Sequence, residues 1–245
     1  MLIGKDFHVL ENGNLSFADY IIKPEPDIRY LEDASHVLYD KPDDAENRPL
    51  YYMYRGVSYD VHQELFRKAG LRYDLTVILP GKIGQEFIKT IGHFHPMKPT
   101  GHETYPEYYE VLNGEALYLL QKNSRSGEVE EVKVIAAKKG DRVFIPPGYG
   151  HVTINPGDQP LIMSNLIENS FQSLYEPFAE KHGAAYYYIQ LESGKGDFIK
   201  NPHYASSISL QLLSAPNQPQ AVEVVKEKSL YQAFIDNPAS FDLLK

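Results

Sequence analysis

The chain has 245 residues, 42% apolar and 23% charged, a mixture that folds rather than staying disordered and that can bury one sizeable core. A formal charge of −9 argues against the clustered Lys and Arg that a phosphate backbone requires, so neither DNA nor RNA is expected as a partner. Zero cysteines exclude disulfides, thiolate metal sites and cysteine nucleophiles together, which leaves His, Asp and Glu as metal ligands.

In chain order, Met1-Leu2-Ile3-Gly4-Lys5-Asp6-Phe7 lacks the basic-then-apolar pattern of a signal peptide, and no apolar run reaches membrane-spanning length. A cytoplasmic location without a membrane partner is therefore expected. Residues 1–50 read as an arm of short strands and turns, ending in the polar stretch Asp40 to Pro49, which suits a surface loop. A helix is expected near Asp60 to Ala69, because Val61, Leu65 and Ala69 recur at spacing four and Gly70 can end it. From Leu71 to about Glu168 short β-rich runs alternate with turn signals, the rhythm of an antiparallel sandwich or barrel. Asn113-Gly114 between two such runs predicts a hairpin with a type I′ turn. Ser173 with Glu176 forms a capping box for a helix that Gly183 would close, and Ser229 with Gln232 repeats the signal near the end.

The chemistry-bearing residues lie in the β segment. His93 and His95 are two apart, and alternate residues of a strand face the same way, so both imidazoles can meet one ion. Alternation through Glu107 to Asn113 puts Glu107, Tyr109 and Val111 on one face, where one carboxylate could join the histidines. Glu103 and His102 are rival ligands, but neither begins the strand that leads into Asn113-Gly114. Further on, Gly140 is followed after five residues by Pro146, then Gly148, His151 and Asn155. His8, His36, His62, His182 and His203 are read as surface or structural residues.

These residues resemble the two motifs of the cupin superfamily, H-x-H with a following Glu and G-x5-P-x-G-x2-H-x3-N. The resemblance implies an all-β jelly-roll barrel in which His93, His95, Glu107 and His151 hold one divalent ion per subunit, Fe, Mn, Zn, Ni or Co. One departure stands out: eleven residues separate His95 from Glu107, where cupins usually have three or four.

Leu75 to Gly81, Glu86 to Thr90, Gly92 to His95, Glu107-x-Tyr109 and Ile145-Pro146-Pro147 are similar to the archaeal-type, cupin glucose-6-phosphate isomerases over roughly residues 48–183. That resemblance implies a sugar-phosphate substrate, contacted by Tyr52, Thr76, Thr90, Gly92 and Tyr175, with Glu107 as base and Tyr109 orienting an oxygen. It also implies a homodimer, and it sets Ser173 where the family carries a His near the sugar phosphate. The expected organisation is an arm over residues 1–50, a cupin barrel with flanking helices over 51–200, and a C-terminal extension over 201–245, outside the resemblance, that covers the barrel or a neighbouring subunit. The competing readings are another metal cupin, such as a mannose-phosphate isomerase, sugar epimerase or iron dioxygenase, or a non-catalytic sugar-phosphate-binding cupin.

Overall fold

A computed structural model describes residues 6–40, 46–205, 208–217, 222 and 228–245, so part of the Asp40 to Pro49 loop lies outside the described residues. The architecture is all-β, as expected. One antiparallel sheet runs Arg142–Ile145, Glu107–Asn113, Leu161–Glu168, Leu71–Ile78, Pro49–Tyr54 and Asp27–Tyr30 from edge to edge. A second runs Tyr149–Ile154, Glu115–Asn123, Val129–Lys138 and Leu210–Ser214, the last pair parallel. The two sheets close on a shared core that includes Tyr109, Val111, Tyr118, Leu120, Ile135, Val143, Leu161 and Met163. Among the described residues, no helix is long and apolar enough to cross a membrane.

Both termini build on this frame. The outer face of the first sheet presents Tyr52, Tyr54, Tyr73, Leu75, Val77, Tyr108 and Leu166. Phe7, Leu15, Phe17 and Ile21 of the arm cover it together with Leu230, Tyr231, Phe234, Phe241 and Leu244 of the C-terminal extension. The extension thus covers the barrel of its own chain and adds Leu210–Ser214 to the edge of the second sheet.

Three local expectations are corrected. Asn113-Gly114 does not close a hairpin, because Glu107–Asn113 and Glu115–Asn123 belong to different sheets. A type I′ turn needs positive φ at both central residues; here Gly114 has φ 81° and Asn113 does not. The pair is instead the corner by which the chain changes sheet, held by Asn113 Nδ2 donating to the Pro160 carbonyl at 2.9 Å. Next, the helix is Gln63–Ala69, preceded by a single 3₁₀ turn, Asp60–His62. With three residues per turn in that segment, Val61 falls out of phase and is 83% exposed, whereas Leu65 and Ala69 pack against the core as expected, beside the buried Phe66. Gly70 does end the helix, in the left-handed conformation at φ 66°. Finally, Ser173 caps nothing: the helix is the single turn Glu176–Ala179, with Tyr175 at its N-cap. Leu174 is locked in an extended bridge to Phe94, with N···O distances of 2.8 and 2.9 Å, which keeps this segment out of a capping geometry. Ser229 behaves as expected, its side chain accepting from Gln232 N at 3.1 Å to start Leu230–Asp236.

Candidate metal centre and active site

The sequence positions its four ligand candidates through backbone pairing. His93 and His151 form a two-way bridge, His93 N to His151 O at 3.2 Å and His151 N to His93 O at 3.0 Å. Close approach of these segments requires Gly92, where φ is 81° and a Cβ would fall 2.4 Å from Val152 Cγ2. Gly150 leaves the same kind of room for the Phe94 ring, also at 2.4 Å. Asn155, the last motif residue, is buried and structural. Its Nδ2 donates to Ile78 O at 3.0 Å and Gln159 O at 2.9 Å, while its Oδ1 accepts from Gly157 N at 3.0 Å. Glu107 opens its strand opposite Ile145.

One ligand atom each from His93, His95, Glu107 and His151 gathers within 4.8 Å of the others. His93 Nε2 lies 3.1 Å from His95 Nε2, and Glu107 Oε2 lies 3.3 Å from His151 Nε2 and 3.4 Å from His95 Nε2. His95 Nδ1 donates to the Tyr105 carbonyl at 2.8 Å, which fixes the tautomer and turns an Nε2 lone pair toward the centre. Glu107 Oε2 is buried without a hydrogen-bond partner. Burial pushes the Glu107 carboxyl up, but the neighbouring His151 and His95 outweigh it and hold the group well below the usual carboxylate range. Burial, reinforced by His151 and His95, keeps His93 well below the usual imidazole range, and burial lowers His151 against the pull of Glu107. Imidazole nitrogens converging on an ionised, unbonded carboxylate oxygen match the donor set of a divalent transition metal.

The long stretch between His95 and Glu107 is a closed loop rather than a source of ligands. Lys98 N donates to Glu103 O at 2.8 Å and Lys98 Nζ pairs with Glu103 Oε1 at 2.7 Å, which points Glu103 away to a half-exposed position. His102 is exposed. The loop braces both histidine segments, through the Tyr105 carbonyl at His95 and through Thr104 Oγ1, which accepts from Gly148 N at 2.7 Å. Lys98, itself buried, also reaches the Leu243 carbonyl of the C-terminal extension at 3.3 Å.

A cavity opens onto this centre, lined among others by Thr76, Thr90, Gly92, His93, Glu107, Tyr109, His151, Ser173 and Tyr175. Tyr109 hydroxyl lies 3.2 Å from His151 Nε2. Burial, with Glu107 and Tyr118 adding to it, pushes that hydroxyl well up, so it keeps its proton at neutral pH. Thr90 Oγ1 accepts from Thr153 N at 3.0 Å. Tyr52 is the correction: it packs in the outer cluster, and its hydroxyl donates to the Asn12 carbonyl at 2.9 Å. Its neighbour Tyr51, pointing the other way on the strand, lines the cavity. The sequence reading also misses Arg55, Arg72, Asp74 and Asn165 on the cavity wall. Strand parity carries the signal, since Arg72 and Asp74 alternate with Thr76. Across the sheet, Tyr109, Asn165 and Asp74 lie in one row and Val111, Met163, Thr76 and Met53 in the next.

A double-sheet jelly roll carrying an H-x-H pair, a strand-borne Glu and a third His after a P-x-G turn defines a cupin. A family model described as "Glucose-6-phosphate isomerase (GPI)" matches residues 30–206. The chain is 33% identical to the glucose-6-phosphate isomerase of Pyrococcus horikoshii over 60% of its length and 70% of that protein. It is 29% identical to that of Thermococcus kodakarensis over 82% of its length and 96% of that protein. Among solved structures it is similar to oxalate decarboxylase from Bacillus subtilis, with a TM-score of 0.37 and 17% identity over 56% of this chain and 30% of that one. The chain belongs to the glucose-6-phosphate isomerase family, in its archaeal cupin form.

Proposed function

We propose that the chain interconverts glucose 6-phosphate and fructose 6-phosphate, with one divalent ion held by His93, His95, Glu107 and His151. The observation that carries this reading is the gathering of those ligand atoms within 4.8 Å at the floor of a cavity, in a chain of the isomerase family. A bound divalent ion would act as a Lewis acid on the substrate's carbonyl and adjacent hydroxyl oxygens. Fe, Mn, Zn, Ni and Co all suit the donor set.

The side chains supply the rest. Aldose–ketose isomerisation moves one hydrogen between C2 and C1 and one proton between the two oxygens. Glu107, ionised, takes the C2 proton of the aldose through the carboxylate oxygen that does not hold the ion and returns it to C1. Tyr109, held protonated by burial and the Glu107 carboxylate, donates to an oxygen on which charge develops. Thr76, Thr90, Gly92 and Tyr175 line the cavity as phosphate contacts, and Ser173 occupies the wall position at which the family carries a His. The cytoplasmic location and the homodimer expected from the sequence belong to the same proposal.

The test is coupled conversion of fructose 6-phosphate to glucose 6-phosphate before and after chelation, with single divalent ions restored, run in deuterated water. Turnover that stops on chelation and returns with the ion, together with deuterium in the product, is expected. Chelator-insensitive turnover would overturn the metal role, and product free of solvent deuterium would replace Glu107 proton transfer with a hydride shift.

A further inference from the structure

Two arginines, Arg55 and Arg72, line the same cavity as Thr76. Arg72, Asp74 and Thr76 occupy alternate positions of Leu71–Ile78 and share the cavity face. Arg72 Nε donates to Asp74 Oδ2 at 2.8 Å, which holds its head against Asp74. Its two terminal nitrogens have no hydrogen bond among the described residues. On the adjoining strand Met53 pairs with Thr76, and Arg55 leans back to it, with Nη2 3.5 Å from Met53 Sδ and 3.6 Å from Asp27 Oδ2. Asp74 Oδ1 accepts from Gly56 N at 2.8 Å, so one buried carboxylate braces both the Arg72 head and the turn that carries Arg55.

Desolvating an ion pair in a barrel wall is costly, and a wall that needed only packing is better filled with apolar groups. The opposite face of the same strand is filled that way, by Tyr73, Leu75 and Val77. Two arginines on one cavity wall, Arg72 paired with Asp74 and Arg55 near Asp27, are placed to meet an anion entering that cavity. A guanidinium fork matches two phosphate oxygens at once. We propose that Arg72, aimed by Asp74, and Arg55 are anchors for the substrate's phosphate group, flanking Thr76 in the cavity. This rests on the sugar-phosphate reading above, and it gives that reading the positive charge that hydroxyls and backbone N–H groups alone do not supply.

The variants are Arg55→Gln at the more exposed site, Arg72→Lys, which keeps the charge and loses the fork, and Arg72→Gln. Inorganic phosphate binding is measured by calorimetry, fructose 6-phosphate KM and kcat by coupled assay, and bound metal by elemental analysis. Expected are phosphate affinity weakened and KM raised by about tenfold or more for the Gln variants, less for Arg72→Lys, with kcat and metal content little changed. Parental phosphate affinity and KM in both Arg55→Gln and Arg72→Lys would overturn the proposal even if Arg72→Gln failed to fold. A parent that binds no phosphate would overturn it too. Because the calorimetry needs no turnover, a parent that binds inorganic phosphate through these arginines without isomerising fructose 6-phosphate would overturn only the proposed reaction.

Discussion

The two faces of the Leu71–Ile78 strand are both buried, yet they do opposite work. Inward, Arg72, Asp74 and Thr76 join Asn165, Tyr109 and Glu107 in a polar wall around the cavity. Outward, Tyr73, Leu75 and Val77 are 0% exposed and pack with Leu166, Tyr108 and the side chains of both chain ends. Burial therefore does not distinguish site from core here; the hydrogen-bonding capacity of the side chains does. The outer face has no chemistry to perform and holds the wall still, so the terminal segments that cover it serve the site by packing alone.

That division can be broken from the inner side with the largest effect. Glu107→Ala removes the only carboxylate of the ligand cluster. Bound metal and turnover are both expected to fall to background, while the metal-free variant unfolds near the metal-free parent because the outer cluster is untouched. A Glu107→Ala protein that retains an equivalent of metal would place the ion elsewhere and dissolve the comparison.

From the outer side, Phe234→Ala is the reciprocal test. Phe234 is 0% exposed and stacks on Phe66 at a centroid distance of 4.5 Å. Truncating a fully buried Phe costs about 3–5 kcal/mol, read from the denaturant midpoint. The folded fraction should keep the parent's metal content per molecule. Loss of metal from protein that remains folded would show that the outer cluster does more than support the wall.

How much of this is legible in the sequence follows from the range of the interactions. The ligands are readable because two sit at strand spacing and another follows a G-x5-P-x-G-x2-H pattern whose glycines, Gly140 and Gly148, meet a local backbone demand, φ of 87° and 85°. Two helix-end signals are equally local: the Ser229 cap depends on residues three apart, and Gly70 needs only its own backbone angle. The failures at Asn113-Gly114, Ser173 and Tyr52 involve partners far along the chain. Asn113-Gly114 looks like a hairpin because its neighbours in sequence are β-like, but Pro160 and Leu161 decide its geometry. Ser173 looks like a cap, but the bridge from Leu174 to Phe94 holds that segment extended. Tyr52 and Tyr51 have the same composition and propensity; only the partner of each face tells cavity from core, and the arm that covers Tyr52 is forty residues away in the hydrogen bond to Asn12. Arg55 and Arg72 escape the sequence reading because a net charge of −9 argues against a cationic site, a whole-chain average that says nothing of one wall.

The smallest expected effect tests whether the C-terminal extension reaches the inner face at all. A direct route is Lys98, whose Nζ bonds the Leu243 carbonyl and Glu103 at the root of the loop that carries Tyr105. The Tyr105 carbonyl accepts from His95 Nδ1, and the Tyr105 ring stacks on Phe171 at 4.7 Å, which in turn packs on His95 at 4.8 Å. Partners that orient a ligating histidine typically contribute about 10–100-fold to metal affinity, and Lys98 acts one step behind such a partner. Lys98→Met, which keeps the apolar stem and drops the ammonium, should therefore weaken metal binding by about tenfold or less without moving the unfolding midpoint as Phe234→Ala does. Lys98→Arg should restore it, because a guanidinium can reach the same carbonyl. Parental metal affinity in Lys98→Met would confine the extension to the outer face and leave the loop to orient His95 unaided.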